Sequence, residues 1–212
     1  MDAAARGLLG AWLIRDDGLS VRTGRIVEVE AYGGPGDLAS HARAGRTARN
    51  ATMFGPSGRA YVYGVYGMHT CLNVVCGPAD HASAVLLRAV EPRVGVATMR
   101  EARLARGLVT RWSERAAPER AAARVAHLPV GQLASGPGNV GAAFSIERED
   151  DGGDLLDPAS PLRLKARPSA EPRPEMASGP RIGVGFAGAE SASTPWRFWL
   201  PGSAALSGRR GR

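Results

Sequence analysis

The chain has 212 residues, 44% of them hydrophobic and 22% charged, with a formal net charge of +7. That length suits one well-buried domain, the composition is that of a globular protein, and the excess of cations points to a polyanionic partner. Cys71 and Cys76 are too few for a disulfide framework, and the one early apolar run, LLGAWLI, is broken by Arg15 long before a membrane span.

The N-terminal segment lacks the cationic start and cleavage site of a secretory signal, so a bacterial cytosolic or nucleoid location and no membrane are expected. Lys165 is the sole lysine. Frequent Ala, Gly, Arg and Pro suggests a GC-rich genome, so the preference for Arg over Lys carries no functional weight, whereas the excess charge does.

In chain order, Ala3 to Leu9 has helical character and AWLIR reads as a short strand before the turn Asp16-Asp17-Gly18. From Arg25 the chain alternates, with Val27, Val29 and Ala31 on one face and Glu28, Glu30 and Tyr32 on the other. Gly33-Gly34-Pro35-Gly36-Asp37 breaks that strand, and a polar, arginine-dotted segment from His41 to Arg49 follows. Tyr61, Tyr63 and Val65 share a face of the next strand. The run from Met68 to Val75 alternates again, which predicts a β-hairpin with Tyr66 at its tip.

A further strand, Ala84 to Val90, ends at Glu91-Pro92, and a helix spans Val94 to Arg106. Thr110 to Ala126 reads as an exposed helix or a disordered insertion, with 111–125 as its variable part. Gly136-Pro137-Gly138 precedes a short helix starting near Asn139. The cluster Asp150 to Asp154 is a loop and RPSAEPRPEM is irregular. RIGVGF and WRFWL read as two closing strands. Residues 1–202 are expected to form a single domain, with 203–212 a mobile basic tail that adds non-specific affinity for nucleic acid.

Glu30 is a candidate general base, a strand carboxylate beside an aromatic ring. Glu28 shares its face, and the mutual repulsion of two carboxylates sets the pair apart from a simple solvated strand. The pattern does not choose between them. Tyr32, His41, Tyr63 and Tyr66 offer three flat walls and a wedge, and stacking on a nucleobase contributes about 1–3 kcal/mol per base. A tyrosine at a hairpin tip has little core to pack into and suits insertion between base pairs. Arg43, Arg46 and Arg49 recur at a spacing of three and could clamp phosphates. His69, Cys71, Cys76 and His81 lack the spacing of a zinc motif, and Gly183-x-Gly185 is too short a signal for a dinucleotide site.

Together, EVEAYGGPGDLASHARAGRTARNATMFGPSGRAYVYGVYGMHTCLNVV, AVLLRAVEP, LASGPGNVGAAFSI, RIGVGFA and PWRFWL resemble the alkyladenine (3-methyladenine) DNA glycosylase family. The resemblance rests above all on EAY, the histidine that follows, and YVYxxYGM. It implies a single α/β (α+β) domain with a curved antiparallel β-sheet, surrounding helices and a protruding β-hairpin that inserts into DNA. It also implies Glu30 as the base that activates water. Tyr32 and His41 would stack on one side of an extruded base and Tyr63 on the other, with Tyr66 filling the gap in the duplex. Asn73 would lie at the pocket floor against the exocyclic amine of normal guanine. Arg88 would help hold the catalytic water, with the Ile182 carbonyl a second candidate for that task. The loop HARAGRTARN is one residue shorter than in vertebrate members, which bears on Arg46 and Arg49.

The implied activity is monofunctional removal of alkylated purines from duplex DNA by a monomer that needs no metal and no cofactor. Two rivals remain at this stage: a non-catalytic module that stacks bases, and a hydrolase of free nucleosides.

Overall fold

The computed structural model describes residues 1–34, 36–65, 69–110 and 123–208. Helix α1 (Asp2–Leu8) leads into β1 (Trp12–Asp16), and the Asp17 carboxylate accepts the Leu19 and Ser20 amides to form the turn into β2 (Val21–Tyr32). Next come β3 (Ala60–Val65), β4 (His69–Val75) and β5 (Ala84–Val94), then α2 (Val96–Thr110) and α3 (Pro137–Ala143). The C-terminal part holds β6 (Leu162–Lys165), β7 (Ala177–Gly179), α4 (Gly188–Ser193) and β8 (Arg197–Trp199).

These strands form one open antiparallel sheet in the order β3-β4-β5-β2-β1-β6, with β8 paired to the second half of β2 and β7 to β8. The mixed single domain expected from the sequence is the architecture observed. Val65 stands opposite His69 in the β3–β4 pair; the expected tip at Tyr66 lies outside the described residues.

One row of neighbours crosses five strands: Tyr61, Asn73, Leu86, Glu30 and Arg197. Cross-strand neighbours share a face, as do residues two apart on one strand. Tyr63 and Tyr32 therefore join that row's face, and the sheet itself gathers the aromatic and acidic residues. Between Glu28 and Val29 the β2–β5 register slips, and Arg88 has no opposite number. Such a bulge re-aims the extra side chain, and here it sends Arg88 towards both Glu28 and Glu30.

The opposite face carries the main core, where Leu13, Ile26, Val29, Leu72 and Leu87 pack with Met99, Phe144 and Ile146. Helix α3 begins at Pro137, two residues before the expected start, because proline suits the first helical position after Gly136 at φ +99°. It lies so close to β4 that a Cβ on Gly141 would stand 2.2 Å from the Thr70 carbonyl oxygen.

Several expectations change. The Glu28/Glu30 face of β2 is as buried as its apolar face, because arginines and aromatic rings cover it. Strand β5 runs through Pro92 to Val94. A register shift opposite Gly24 accommodates the proline, and a Cβ on Gly24 would meet Val90 at 2.5 Å. RIGVGF is not a strand: Gly183 has φ +80°, the Ile182 amide turns to Glu30, and β7 lies just upstream instead. Helix α2 starts two residues later and ends four residues later than expected.

Of the expected insertion, residues 111–122 lie outside the described residues. Val125 is buried, and its carbonyl accepts a hydrogen bond from Arg100 at 2.6 Å. The expected mobile tail is packed as far as it is described. Ala205 and Ser207 are buried, and Ser207 bonds to Glu28. Its arginines Arg209, Arg210 and Arg212 lie outside the described residues.

Candidate active site

A cavity of about 540 Å³ opens on the sheet face just described. Tyr32, His41, Arg49, Tyr61, Tyr63 and Asn73 line it. Ile182, Val184 and the largely exposed Phe186 line it as well. Strand pairing brings the tyrosines and Asn73 together, whereas His41 comes from the loop after β2. Asn50 holds that loop by donating from Nδ2 to the His41 and Gly45 carbonyls at 2.9 and 3.0 Å.

Glu30 does not line the cavity; it is fully buried behind Tyr32 and Ile182. Its Oε2 accepts the Tyr32 hydroxyl at 2.9 Å. Its Oε1 accepts the Ile182 amide at 2.7 Å and pairs with Arg88 Nη1 at 3.2 Å. Glu28 is placed differently. Its Oε1 takes Arg88 Nε at 3.1 Å, Arg197 Nε at 2.7 Å and the Ser207 hydroxyl at 3.0 Å, and its Oε2 takes the Ser207 amide at 2.5 Å. Four donors thus saturate Glu28, while Glu30 is the carboxylate in contact with the cavity wall.

Burial, then the neighbouring Glu30 carboxylate that accepts its hydrogen bond, pushes the Tyr32 hydroxyl far up, so it stays a donor. Burial likewise raises Tyr63, and it raises Tyr61 to about 12. His41 is held below the usual imidazole range by burial, then by Arg49 and Arg43. It is therefore neutral at pH 7, with Nδ1 2.9 Å from the Tyr61 hydroxyl. Asn73 Nδ2 donates to the Tyr61 carbonyl at 3.0 Å.

The His41 and Tyr63 rings meet edge-on, with centroids 4.5 Å apart and planes at 79°. A base between two facing rings needs two van der Waals gaps of about 3.5 Å each. The slot expected between His41 and Tyr63 is therefore closed in this structure, and a base could enter it only if one of the two rings moved.

Among the loop arginines, Arg49 reaches the cavity, Arg43 lies 5.8 Å from the Phe186 ring at the rim, and Arg46 pairs with exposed Asp80 at 3.3 Å. The site also contains a group that the sequence did not point to. Arg181 lies between the Tyr32 and Trp196 rings, 4.7 and 4.9 Å from their centroids. It forms a bidentate pair with Asp37 at 2.6 and 2.8 Å, both side chains buried. The pair ties the loop after β2 to the Ile182 segment and backs Tyr32. Nothing in the local pattern of GGPGD or GPRIG marks either residue as a buried ion.

A buried carboxylate behind an aromatic cavity large enough for a purine, on a basic chain, is an arrangement suited to an enzyme that acts on a nucleobase. Residues 1–204 match the family model for Methylpurine-DNA glycosylase. Two relatives each bear the name "Putative 3-methyladenine DNA glycosylase". That of Nocardia farcinica is 46% identical over 98% of this chain and 86% of its own length. That of Mycobacterium tuberculosis is 42% identical over 98% of this chain and 89% of its own length. The chain belongs to the methylpurine-DNA glycosylase family, enzymes that hydrolyse N-glycosyl bonds in DNA. A non-catalytic stacking module is thereby set aside. No helix among the described residues is long and apolar enough to cross a membrane.

Proposed function

We propose that the protein is a monofunctional DNA glycosylase that flips alkylated purines, 3-methyladenine and 7-methylguanine, and also hypoxanthine, out of duplex DNA. It then releases them by water attack, as the first step of base excision repair. The observation that carries this reading is the Glu30 carboxylate, buried against the cavity wall with Tyr32, Ile182 and Arg88 fixing its two oxygens.

Water attacks C1′ as the bond from C1′ to the purine nitrogen breaks, and the bonding electrons leave with the base. Glu30 takes the proton from water and opposes the positive charge that develops on the sugar. Alkylation at N3 or N7 makes the base cationic, so it departs neutral without a proton from the enzyme; hypoxanthine carries no such charge and must take up a proton from solvent as it leaves. Arg88 and the Ile182 carbonyl help hold the water. Tyr32, His41 and Tyr63 stack on the extruded base once the His41 or Tyr63 ring has moved, and Asn73 opposes the exocyclic amine of guanine.

Tyr66 fills the gap in the duplex, an assignment that rests on the family resemblance. Arg43 and Arg49 lie on the cavity side and suit phosphate contacts. Arg46 joins them by exchanging its exposed Asp80 partner, a pair worth little in water. Extrusion costs a few kcal/mol, least for a poorly paired lesion, which contributes to selectivity. Strand nicking through a Schiff base needs an amine, and Lys165 lies on β6 at the other end of the sheet order from β3 and β4. The partner is damaged duplex DNA, met by a monomer in the bacterial cytosol or nucleoid.

The test is base release from duplexes that each carry one defined lesion. Wild-type protein should release alkylated purines. Glu30→Gln should bind the same duplexes and release none; release by that variant would refute the assignment.

A further inference from the structure

Two groups hold Glu30 Oε1, the Ile182 amide and the Arg88 guanidinium. Each is backed by the same short piece of chain, which the sequence suggested was mobile. Ser207 Oγ accepts from Arg88 Nε at 3.2 Å and Nη2 at 3.0 Å, and its own proton goes to Glu28 Oε1 at 3.0 Å. The Ser207 amide bonds Glu28 Oε2, and the Ser207 carbonyl accepts Arg197 Nη2 at 3.1 Å. The next residue, Gly208, has φ +82° and passes so near Ile182 that a Cβ there would lie 2.7 Å from Ile182 Cδ1.

We propose that Ser207 and Gly208 form a C-terminal clamp that positions Glu30, acting through Arg88 on one side and Ile182 on the other. The geometry gives the reason. A guanidinium held by one carboxylate can pivot about that contact. Glu28 holds Arg88 at Nε, and the Ser207 hydroxyl fixes Nε and Nη2 together, which leaves Nη1 aimed at Glu30. Gly208 lies against the side chain of Ile182, the residue whose amide is 2.7 Å from the same oxygen. Neither residue touches the base or the sugar, so both are positioning residues. The inference rests on Glu30 as the base.

The experiment uses the full chain and four variants, Ser207→Ala, Ser207→Thr, Gly208→Ala and Glu30→Gln. The substrate is the lesion duplex that wild-type protein cleaves fastest. Single-turnover release and the dissociation constant are measured separately, with melting curves for each variant. A misplacement near 1 Å costs about a hundredfold in rate, so Ser207→Ala should slow release by about tenfold to a hundredfold. Its dissociation constant should stay within about twofold, an effect on the chemical step alone. Ser207→Thr, which keeps the hydroxyl, should recover most of the rate. Gly208→Ala should slow release as well, because alanine is strained at φ +82° and the backbone must shift beside Ile182 to relieve it.

The clamp is overturned if Glu30→Gln is inactive while Ser207→Ala and Gly208→Ala release at the wild-type rate. It is equally overturned if their losses only track the unfolded fraction. Release by Glu30→Gln would instead remove the base assignment on which the clamp depends.

Discussion

In an Asp37→Asn variant, Arg181 keeps its place between Tyr32 and Trp196 but loses its counter-charge. The carboxylate accepts four hydrogen bonds: Gly33 and Ala39 amides at 3.0 and 3.1 Å, and Arg181 Nη1 and Nη2 at 2.6 and 2.8 Å. Both side chains are essentially solvent-free. Breaking a buried pair from one side costs about 3–5 kcal/mol, because the remaining charge stays buried and unpaired. Each kcal/mol moves the melting point of a domain this size by about 2–4 °C, so a fall of about 6–20 °C is expected. Replacing both partners, with Arg181→Met and Asp37→Leu, should cost less than Asp37→Asn alone, since no ion is then left inside.

The pH dependence gives the sign. Burial alone would raise the Asp37 carboxyl, but the Arg181 guanidinium and the two amides outweigh it and hold it below the ordinary range. A carboxyl lowered on folding contributes stability that is fully present above its unfolded value of about 3.9 and is lost as pH falls through the folded value. Asparagine does not titrate, so the wild-type advantage should narrow as pH drops below about 4. Urea unfolding of both proteins, at pH 7 and stepwise into acid, measures this directly. A difference under about 1 kcal/mol at neutral pH, or one unchanged into acid, would refute the reasoning.

Gly141→Ala should destabilise by about 1–3 kcal/mol or more, because its methyl would press on the Thr70 backbone at 2.2 Å rather than on a yielding side chain. Denaturant titration checks this, and an unchanged midpoint would show that α3 can move off β4. Burial pushes the Cys71 thiol up to about 11, and only the thiolate alkylates readily. Iodoacetamide at mildly alkaline pH should therefore spare Cys71 in the native protein and modify it once urea is added, as peptide mapping would show. The Glu30→Gln and Ser207→Ala variants described above separate loss of the base from loss of its positioning.

Much of the site was legible because it is local. Alternation from Val27 to Tyr32 and from Tyr61 to Val65 puts Glu30, Tyr32, Tyr61 and Tyr63 at matched parities, and the hairpin reading pairs β3 with β4. Gly136-Pro137-Gly138 announced α3 by the same local logic. The resemblance then selected Glu30 over Glu28, which parity could not separate.

What the chain's own pattern determined is therefore strands β1 to β5 and β8, the face that Tyr32 takes on β2 and the one that Tyr61 and Tyr63 share on β3, and the basic character of the whole. Only the tertiary structure decided which charges are spent inside. Arg15 pairs with Asp150, Arg88 and Arg197 surround Glu28, and Arg181 meets Asp37 across 144 residues of chain. It also turned an expected strand at Ile182 into a loop that bonds Glu30, and folded an expected tail onto Arg88. The physical reason is range. Alternation and turn chemistry act between residues a few positions apart. The burial of an ion depends on whatever distant segment comes to lie over it, and a linear pattern carries no trace of that segment.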